Sequence, residues 1–164
     1  MPRKPFRVGK SPTGLGLFAT EFIDKGTVIV EYKGRMLPDA VAGKLADQGA
    51  KYLYEINSRW TVDGANRRNV ARYANHSCRP NAESDVTRDK KIIIRAIKRI
   101  YPGDEITYDY GRDYFNLIIK KIGCKCDKCH GKGRKRHLLR HNGGKGAKTR
   151  TAKGRNGGNG HAGH

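Results

Sequence analysis

Acidic residues are missing from the final 34 residues of this 164-residue chain. Residues 131–164 contain ten Lys or Arg and ten of the 21 Gly, but no Asp or Glu. With Leu138-Leu139 as the only apolar pair of any size, this segment cannot bury enough apolar surface to offset the entropy of ordering it. We predict a disordered Lys/Arg/Gly-rich tail at 131–164 that contacts nucleic acid non-specifically by neutralising phosphates. A tail that serves only solubility is the alternative.

Long apolar runs are also missing. No stretch approaches the ~18 apolar residues that suggest a membrane-spanning helix, and no apolar segment follows the basic start at Met1 as a secretory signal would require. These absences predict an intracellular protein without membrane contact, in a compartment where disulfides are rare. The net charge of +20 favours polyanionic partners.

Cysteine is scarce until late in the chain. Only Cys78 precedes a cluster of three thiols at Cys124, Cys126 and Cys129. A structural zinc site needs four protein ligands, so the cluster lacks one. Cys78 would complete a four-Cys site, and His130 or His137 would complete a three-Cys one. We favour Cys78, which predicts one structural Zn²⁺ pinning the C-terminal segment to the region around residue 78.

The remaining pattern is mostly β, with many short β-rich runs separated by close turns. Strands are predicted at the ranges 6–8, 27–32, 52–56, 60–63, 83–87, 91–97 and 105–110, with a hairpin around Gly14 and Gly16. Helices are expected at 38–48 and 113–122, and Asn69 is predicted to cap a further short helix.

Residues 72–81, Arg-Tyr-Ala-Asn-His-Ser-Cys-Arg-Pro-Asn, combine more special chemistry than any other stretch. Asn75 and His76 offer hydrogen-bond donors and acceptors side by side, and Pro80 restrains the backbone that follows Cys78. We interpret this stretch as a rigid loop that presents polar groups. A surface turn with one buried Cys is the alternative.

Tyrosines recur on the strand-like runs. Tyr52 with Tyr54, and Tyr108 with Tyr110, have the i, i+2 spacing that places side chains on one face of a strand. Together with Tyr32, two such pairs could wall a cavity with inward hydroxyls, suited to a cation or a long aliphatic amine. Ordinary core tyrosine is the alternative reading for each of them.

Four motifs, in order, resemble those of SET-domain protein lysine methyltransferases. They are the ranges 13–16 (TGLG), 31–34 (EYKG), 72–81 (RYANHSCRPN) and 103–111 (GDEITYDYG). The cysteine cluster is similar to the post-SET segment of that family, although its C-x-C-x2-C spacing is shorter than the usual C-x-C-x4-C. The resemblance covers residues 6–130 and implies a SET domain at 1–111, a post-SET zinc-binding segment at 112–130 and the tail at 131–164. It also implies a β-clip fold with pseudoknot-like threading of the C-terminal strand, which only the resemblance suggests.

The resemblance also implies the roles of individual residues. Tyr110 would be the catalytic tyrosine and Tyr108, two residues earlier, would set how many methyl groups are added. The lysine channel would be lined by Tyr32, Tyr54 and Tyr108. S-adenosylmethionine would be bound by Gly14, Leu15, Gly16, Tyr52, Arg72, Asn75, His76 and Tyr110. The zinc ligands would be Cys78, Cys124, Cys126 and Cys129.

The resemblance therefore implies methyl transfer from S-adenosylmethionine to lysine in histones or histone-like, DNA-associated proteins. Tyr at position 108 favours mono- or dimethylation, since a second hydroxyl leaves less room for added methyl groups. The expected location is chromatin in a nucleus, or the cytoplasm and nucleoid of a microbe. A non-catalytic chromatin- or nucleoid-binding protein that retains the SET fold is the alternative.

Overall fold

The computed structural model of the protein describes residues 4–130, and the predicted tail lies outside them. These residues form ten short strands and a few short helices, so the predicted mostly β fold class is confirmed. The strands are β1 (Phe6–Ser11), β2 (Gly14–Ala19), β3 (Val28–Tyr32), β4 (Arg35–Pro38), β5 (Leu53–Asn57), β6 (Trp60–Asp63), β7 (Asn75–His76), β8 (Ala82–Val86), β9 (Ile92–Ala96) and β10 (Glu105–Tyr108). Within residues 4–130, no helix is long and apolar enough to cross a bilayer.

The strands form three small sheets. The first has the order β1-β2-β10-β7, the second β3-β9-β8 and the third β4-β6-β5. In the first sheet β10 pairs antiparallel with β2 and parallel with β7. A strand from the end of the body thus lies between one from its start and one from its middle, as a threaded C-terminal strand requires.

The β1–β2 hairpin follows from its glycines. Gly14 opens β2 with a φ of 118°, a conformation that L side chains rarely adopt. After it, Leu17, Phe18 and Ala19 are all buried, because this strand is covered on both faces. The predicted tight hairpin is therefore present, with β1 longer than the predicted 6–8.

The core lies between the first and second sheets. Its most completely buried large side chains are Leu17, Ile92, Ile94, Ile100 and Ile106. Each contributes roughly 1.5–3 kcal/mol relative to an exposed side chain. The core thus joins β2 and β10, which carry predicted site residues, to β9.

Two elements differ from their predictions. Residues 72–81 are not simply a loop: a 3₁₀ turn at Val70–Tyr73 leads into β7, which is held by main-chain pairing with β10. Asn69 precedes the 3₁₀ turn but makes no side-chain cap. It is buried instead, accepting a hydrogen bond from the Lys33 backbone N–H at 3.0 Å and donating to the Gly64 carbonyl at 3.1 Å.

The helices confirm the prediction in outline. Helix α1 spans Asp39–Asp47, preceded by Pro38, which ends β4. The C-terminal helical segment runs from α2 (Arg112–Tyr114) through a π-helical turn (Phe115–Ile119) to α3 (Lys120–Ile122). A last turn, α4 (Asp127–His130), carries Cys129.

Candidate active site and cysteine cluster

The two most distinctive motifs meet at β7 and β10. The Ser77 backbone N–H donates to the Tyr108 carbonyl at 3.0 Å, and the Tyr110 N–H donates to His76 Nδ1 at 3.2 Å. Asn81 closes the junction: its amide donates to the Glu105 carbonyl at 2.8 Å and accepts from the Thr107 N–H at 2.9 Å. Two stretches about thirty residues apart in sequence therefore form one rigid unit.

Asn75 links this unit to the glycine hairpin. Its side-chain nitrogen donates to the Leu15 carbonyl at 3.0 Å and to Glu105 Oε1 at 2.7 Å. Gly16 lies against the same carboxylate, and a Cβ there would overlap Glu105. The amide nitrogen of Asn75 is therefore fixed by protein groups, and the glycine lets the backbone of β2 approach Glu105 closely.

Arg72 and Tyr52 form a second polar contact in the site. The Arg72 guanidinium carbon lies 3.7 Å from the centroid of the Tyr52 ring, a close cation–π arrangement. Arg72 Nη1 donates to the Ala65 carbonyl, whereas its buried Nε has no partner within residues 4–130. Tyr52 lies one residue before β5 and is therefore not part of that strand. Its ring contacts Arg72, and it does not form the predicted strand-face pair with Tyr54.

Four of the predicted tyrosines gather in one aromatic cluster. The rings of Tyr108 and Tyr110 are 4.8 Å apart, and those of Tyr32 and Tyr54 are 5.8 Å apart. Tyr114, absent from the sequence prediction, joins them with its ring 5.4 Å from Tyr110. We call these five residues the tyrosine cluster.

The tyrosine hydroxyls are held by the protein and stay protonated. Tyr110 donates to the Ala74 carbonyl at 2.8 Å, Tyr32 to the Tyr52 carbonyl at 2.9 Å and Tyr54 to Ser84 at 2.8 Å. Burial raises the pKa of Tyr32, Tyr108 and Tyr110 above the ordinary value for tyrosine. These side chains are neutral hydroxyls at physiological pH, which excludes a tyrosinate as a ready general base.

The four cysteines come together in space. Their sulfur atoms all lie within 4.8 Å of one another, with Cys78 3.8 Å from Cys124 and 3.7 Å from Cys129. A tetrahedral zinc with Zn–S bonds of about 2.3 Å separates its sulfurs by about 3.8 Å, so the cluster fits one Zn²⁺. His130 is exposed and is not part of the cluster, and His137 lies beyond the described residues.

The electrostatics of the cluster suit a metal. Burial opposes ionisation of Cys126, but the backbone N–H groups of Cys78 and Cys129 lower the pKa of its thiol to about 6. Burial and the neighbouring cysteines raise the pKa of the Cys78 thiol. Cys126 thus ionises readily, whereas the Cys78 and Cys124 thiols, whose pKa is raised mainly by burial, keep their protons until a cation compensates the charge.

His76 connects the cysteine cluster to the tyrosine cluster. Its Nε2 lies 3.3 Å from the Cys78 sulfur, while Nδ1 accepts from the Tyr110 N–H. The ring also packs 5.5 Å from the ring centroids of Tyr110 and Phe115. Burial lowers the pKa of His76, partly opposed by Asp109, so the ring is neutral and can accept from Tyr110.

Sequence reasoning left Glu105, Tyr114 and Phe115 without a role. Glu105 stands inside a motif that was recognised, but its partner Asn75 is thirty residues away. Tyr114 lies in the C-terminal helical segment and Tyr110 outside it, so their contact depends on the tertiary fold. Phe115 lies in a helix whose contact with His76 depends on the tertiary fold.

The β1–β2 hairpin, strand β7 with Asn75-His76 and the tyrosine cluster lie close together in this mostly β domain. This combination indicates one class of protein. The family model for the SET domain matches residues 14–111. The chain belongs to the SET-domain family.

Curated relatives and solved structures are similar over most of the body. The chain is 38% identical over 121 residues to the H3 lysine-4 specific histone-lysine N-methyltransferase of Schizosaccharomyces pombe, covering 68% of this chain and 13% of that protein. It is 37% identical over 121 residues to histone-lysine N-methyltransferase trithorax of Drosophila virilis, covering 69% and 3%. The chain therefore spans only a small part of these relatives.

A solved structure of Chaetomium thermophilum PRC2, described as autoinhibited and bound to S-adenosylmethionine, matches with a TM-score of 0.60 and 28% identity. The match covers 74% of this chain and 17% of that one.

Proposed function

We propose that this protein transfers methyl groups from S-adenosylmethionine to the side-chain amine of protein lysines. The observation that carries the proposal is the joining of β2, β7 and β10, through which Asn75 contacts Leu15 and Glu105 while Tyr110 is tied to His76 and Ala74. Family membership and the relatives named as histone-lysine N-methyltransferases support it.

The cofactor would lie where the glycine hairpin, the Asn75-His76 strand and Arg72 converge. Gly14, Leu15 and Gly16 would contact it through their backbone. Its other contacts would come from Tyr52, Arg72, Asn75, His76 and Tyr110. When bound, S-adenosylmethionine supplies an activated methyl group on a sulfonium.

The tyrosine cluster would receive the lysine side chain. Burial among aromatic rings disfavours an ammonium, so the amine would lose its proton more readily than in water. Tyr32, Tyr54 and Tyr108 would line the channel, and Tyr110, whose neutral hydroxyl is fixed on Ala74, would align the amine. Alignment of this kind can supply several kcal/mol of rate acceleration without acid–base chemistry.

The cysteine cluster would hold one structural Zn²⁺ through Cys78, Cys124, Cys126 and Cys129. Four thiolate ligands would leave no open position, so the ion would not take part in the chemistry. It would instead fix the C-terminal helical segment, including Tyr114, beside the tyrosine cluster.

A methylation assay tests the activity. The full chain would be incubated with labelled S-adenosylmethionine and reconstituted nucleosomes, with products read by peptide mass spectrometry. We expect methyl-lysine on histone, and a rate at least a hundredfold lower for Tyr110→Phe. Tyr101→Phe is the matched control, since it removes an exposed hydroxyl outside the cluster. Cofactor binding without methyl transfer to any protein would favour a non-catalytic chromatin-binding role.

We further propose mono- or dimethylation, because Tyr108 is buried in the cluster against Tyr110. Tyr108→Phe would free space and raise the number of methyl groups added. Abundant trimethyl-lysine from the unaltered enzyme, in the same mass-spectrometric assay, would contradict the proposal.

The substrate class we propose is a histone or another DNA-associated protein, methylated at chromatin in the nucleus. The basic tail at 131–164, with its ten Lys or Arg, would hold the enzyme to nucleic acid. Replacing Lys145, Lys148 and Lys153 by Gln should lower nucleosome affinity. If nucleosome affinity and nuclear retention did not change in this variant, the proposed targeting role of the tail would be wrong.

A further inference from the structure

A strongly charged surface of the body has no role in the proposed chemistry, apart from Tyr32, which also lines part of it. Two adjoining cavities of about 280 and 230 Å³ share Lys33 and Gly34 in their walls. The first is also lined by Lys90 and Lys91 and the second by Arg68. We call this surface the basic groove, defined by Lys33, Gly34, Arg68, Lys90 and Lys91.

Three of the four cations of the basic groove are not neutralised from within the body. Its one acidic wall residue, Glu31, lies 3.4 Å from the Lys33 ammonium and is used in that pair. Within residues 4–130, Arg68, Lys90 and Lys91 form no ion pair with an acid, and all three are exposed. The groove therefore has a net positive charge with free donors.

The shape of the groove is set by the fold. Gly34 lies so close to the Asp63 carbonyl that a Cβ would overlap it, and no side chain fills the floor at this position. The neighbouring Lys33 backbone N–H is held by the buried Asn69 at 3.0 Å. The join between the two cavities is thus preformed rather than shaped by flexible side chains.

The β8–β9 turn places two of the cations at the rim. The Thr87 backbone N–H donates to the Lys91 carbonyl at 2.9 Å, and the Lys91 N–H donates to the Thr87 hydroxyl at 3.1 Å. Lys90 has a φ of 58°, where glycine or asparagine is the usual residue. A lysine thus occupies a backbone conformation that glycine would adopt without strain.

We propose that the basic groove binds the phosphate backbone of nucleic acid, independently of the tail. Lysine ammonium groups act as point charges for phosphate, and a polyanion would meet several of them at once. An acidic protein surface fits less well, because Met36 is the one exposed apolar side chain in the groove wall and protein interfaces rely on aromatic or apolar anchors. This proposal does not rest on methyl transfer.

The test compares three full-length variants that each lose three charges. The groove variant carries Arg68→Gln, Lys90→Gln and Lys91→Gln, and the tail variant carries Lys145→Gln, Lys148→Gln and Lys153→Gln. The surface control carries Lys25→Gln, Lys44→Gln and Lys98→Gln, all exposed and outside the groove. Binding of a fluorescent duplex DNA is followed by anisotropy across a range of salt concentrations.

We expect the groove variant to bind DNA at least tenfold more weakly than the surface control. The slope of log affinity against log salt should fall by up to about 2.7, since each phosphate contact contributes about 0.9. Combining the groove and tail variants should add their losses. A groove variant that matches the surface control in affinity and slope would overturn the proposal. So would a groove variant that loses binding to an acidic peptide probe but not to DNA.

Lys90→Gly separates folding from binding. Glycine relieves the backbone at this position, so the melting temperature should stay the same or rise, while DNA affinity falls a few-fold and the salt slope drops by about 0.9. If both Lys90→Gly and the groove variant bound DNA as tightly as the surface control, the basic groove would be excluded as a nucleic-acid site.

Discussion

The body and the C-terminal segment of the described chain are stabilised by different means. From β1 to β10 the chain buries a contiguous core, including five large side chains that are almost fully inaccessible. From Arg112 to His130, Ile119 and Cys126 are the buried residues, whereas Leu117, Ile118 and Ile122 are exposed. The body is held by apolar burial, whereas the segment buries little apolar surface and carries three of the four clustered cysteines.

This difference separates two parts of one site. The contacts of Asn75 with Leu15 and Glu105, on the proposed cofactor side, belong to the body. Tyr114, at the wall of the tyrosine cluster, belongs to the segment. The position of Tyr114 in the tyrosine cluster should therefore depend on metal in a way that the contacts of Asn75 do not.

Metal removal should have the largest effect. Structural zinc contributes on the order of 10 kcal/mol to the folding of small zinc domains, so a strong chelator should release residues 112–130 and abolish activity. Hydrogen exchange should show loss of protection there, with β2, β9 and β10 still protected. Restored protection after zinc addition is the control. Loss of protection throughout the body would show that the two regions are not separable.

Single cysteine variants sharpen the same comparison. Cys129→Ser should loosen only the segment, whereas Cys78→Ser should also weaken S-adenosylmethionine binding, because Cys78 adjoins His76 on the β7 loop. Calorimetric titration of both variants provides the measurement. Equal cofactor affinity in both would mean that the loop carries two neighbouring features rather than one coupled unit.

Truncating a buried side chain of the body should lower the free energy of unfolding, whereas truncating an exposed side chain of the C-terminal segment should not. Ile106→Ala, at a fully buried position on β10, should lower the free energy of unfolding by roughly 2–5 kcal/mol. Ile122→Ala, at a position that is 72% exposed, should change it by less than about 0.5 kcal/mol. Denaturant titrations give both values, and comparable losses would contradict the assignment of the core to the body alone.

Glu105→Gln tests the link between the hairpin and β7. The variant keeps the shape of the side chain but removes the charge that accepts from Asn75 at 2.7 Å. Glutamine still offers an acceptor oxygen, so the hydrogen bond should weaken by about 1 kcal/mol and cofactor affinity should fall about fivefold. Glu83→Gln, on β8 and exposed, is the matched control. Equal cofactor affinities in the two variants would show that Glu105 does not position Asn75 for cofactor binding.

Alkaline pH should weaken the body in a graded way. Because burial raises the pKa of Tyr32, Tyr108 and Tyr110, the unfolded chain releases these protons first, starting near pH 10. Stability should therefore fall as pH rises above about 10, by up to about 1.4 kcal/mol per pH unit for each tyrosine. Thermal unfolding between pH 8 and 11 measures this. Tyr110→Phe should make the slope shallower by up to about 1.4 kcal/mol per pH unit, and an unchanged slope would contradict this expectation.

Local signals in the sequence predicted much of this molecule. The hairpins, helix α1 and the apolar run at Ile92–Ile94 follow from patterns a few residues long. The four-Cys grouping followed from counting ligands, because a zinc site that holds three thiols within six residues needs one more. The motifs that placed Asn75, His76 and Tyr110 each contain several uncommon residues in a fixed order.

Long-range polar contacts could not be predicted. Asn69 looked like a helix cap because caps are local, whereas its partner Lys33 is 36 residues away. Strand β4 was missed because it pairs with β6, about 25 residues away, and Pro38 at its end was assigned to the start of a helix. Strand β7 was missed because its two residues pair only with β10, so nothing in its own sequence marks it as a strand.

The central position of β10 also has a consequence for the order of folding. Until residues 105–108 are available, one edge of β2 has no partner and β7 cannot form, although β1 and β2 can pair early as a local hairpin. Closing the loops that join residues 14–19, 75–76 and 105–108 is a slow, non-local step. The glycine hairpin and the Asn-His strand thus become a single centre only late in folding, after the strand between them has entered the sheet.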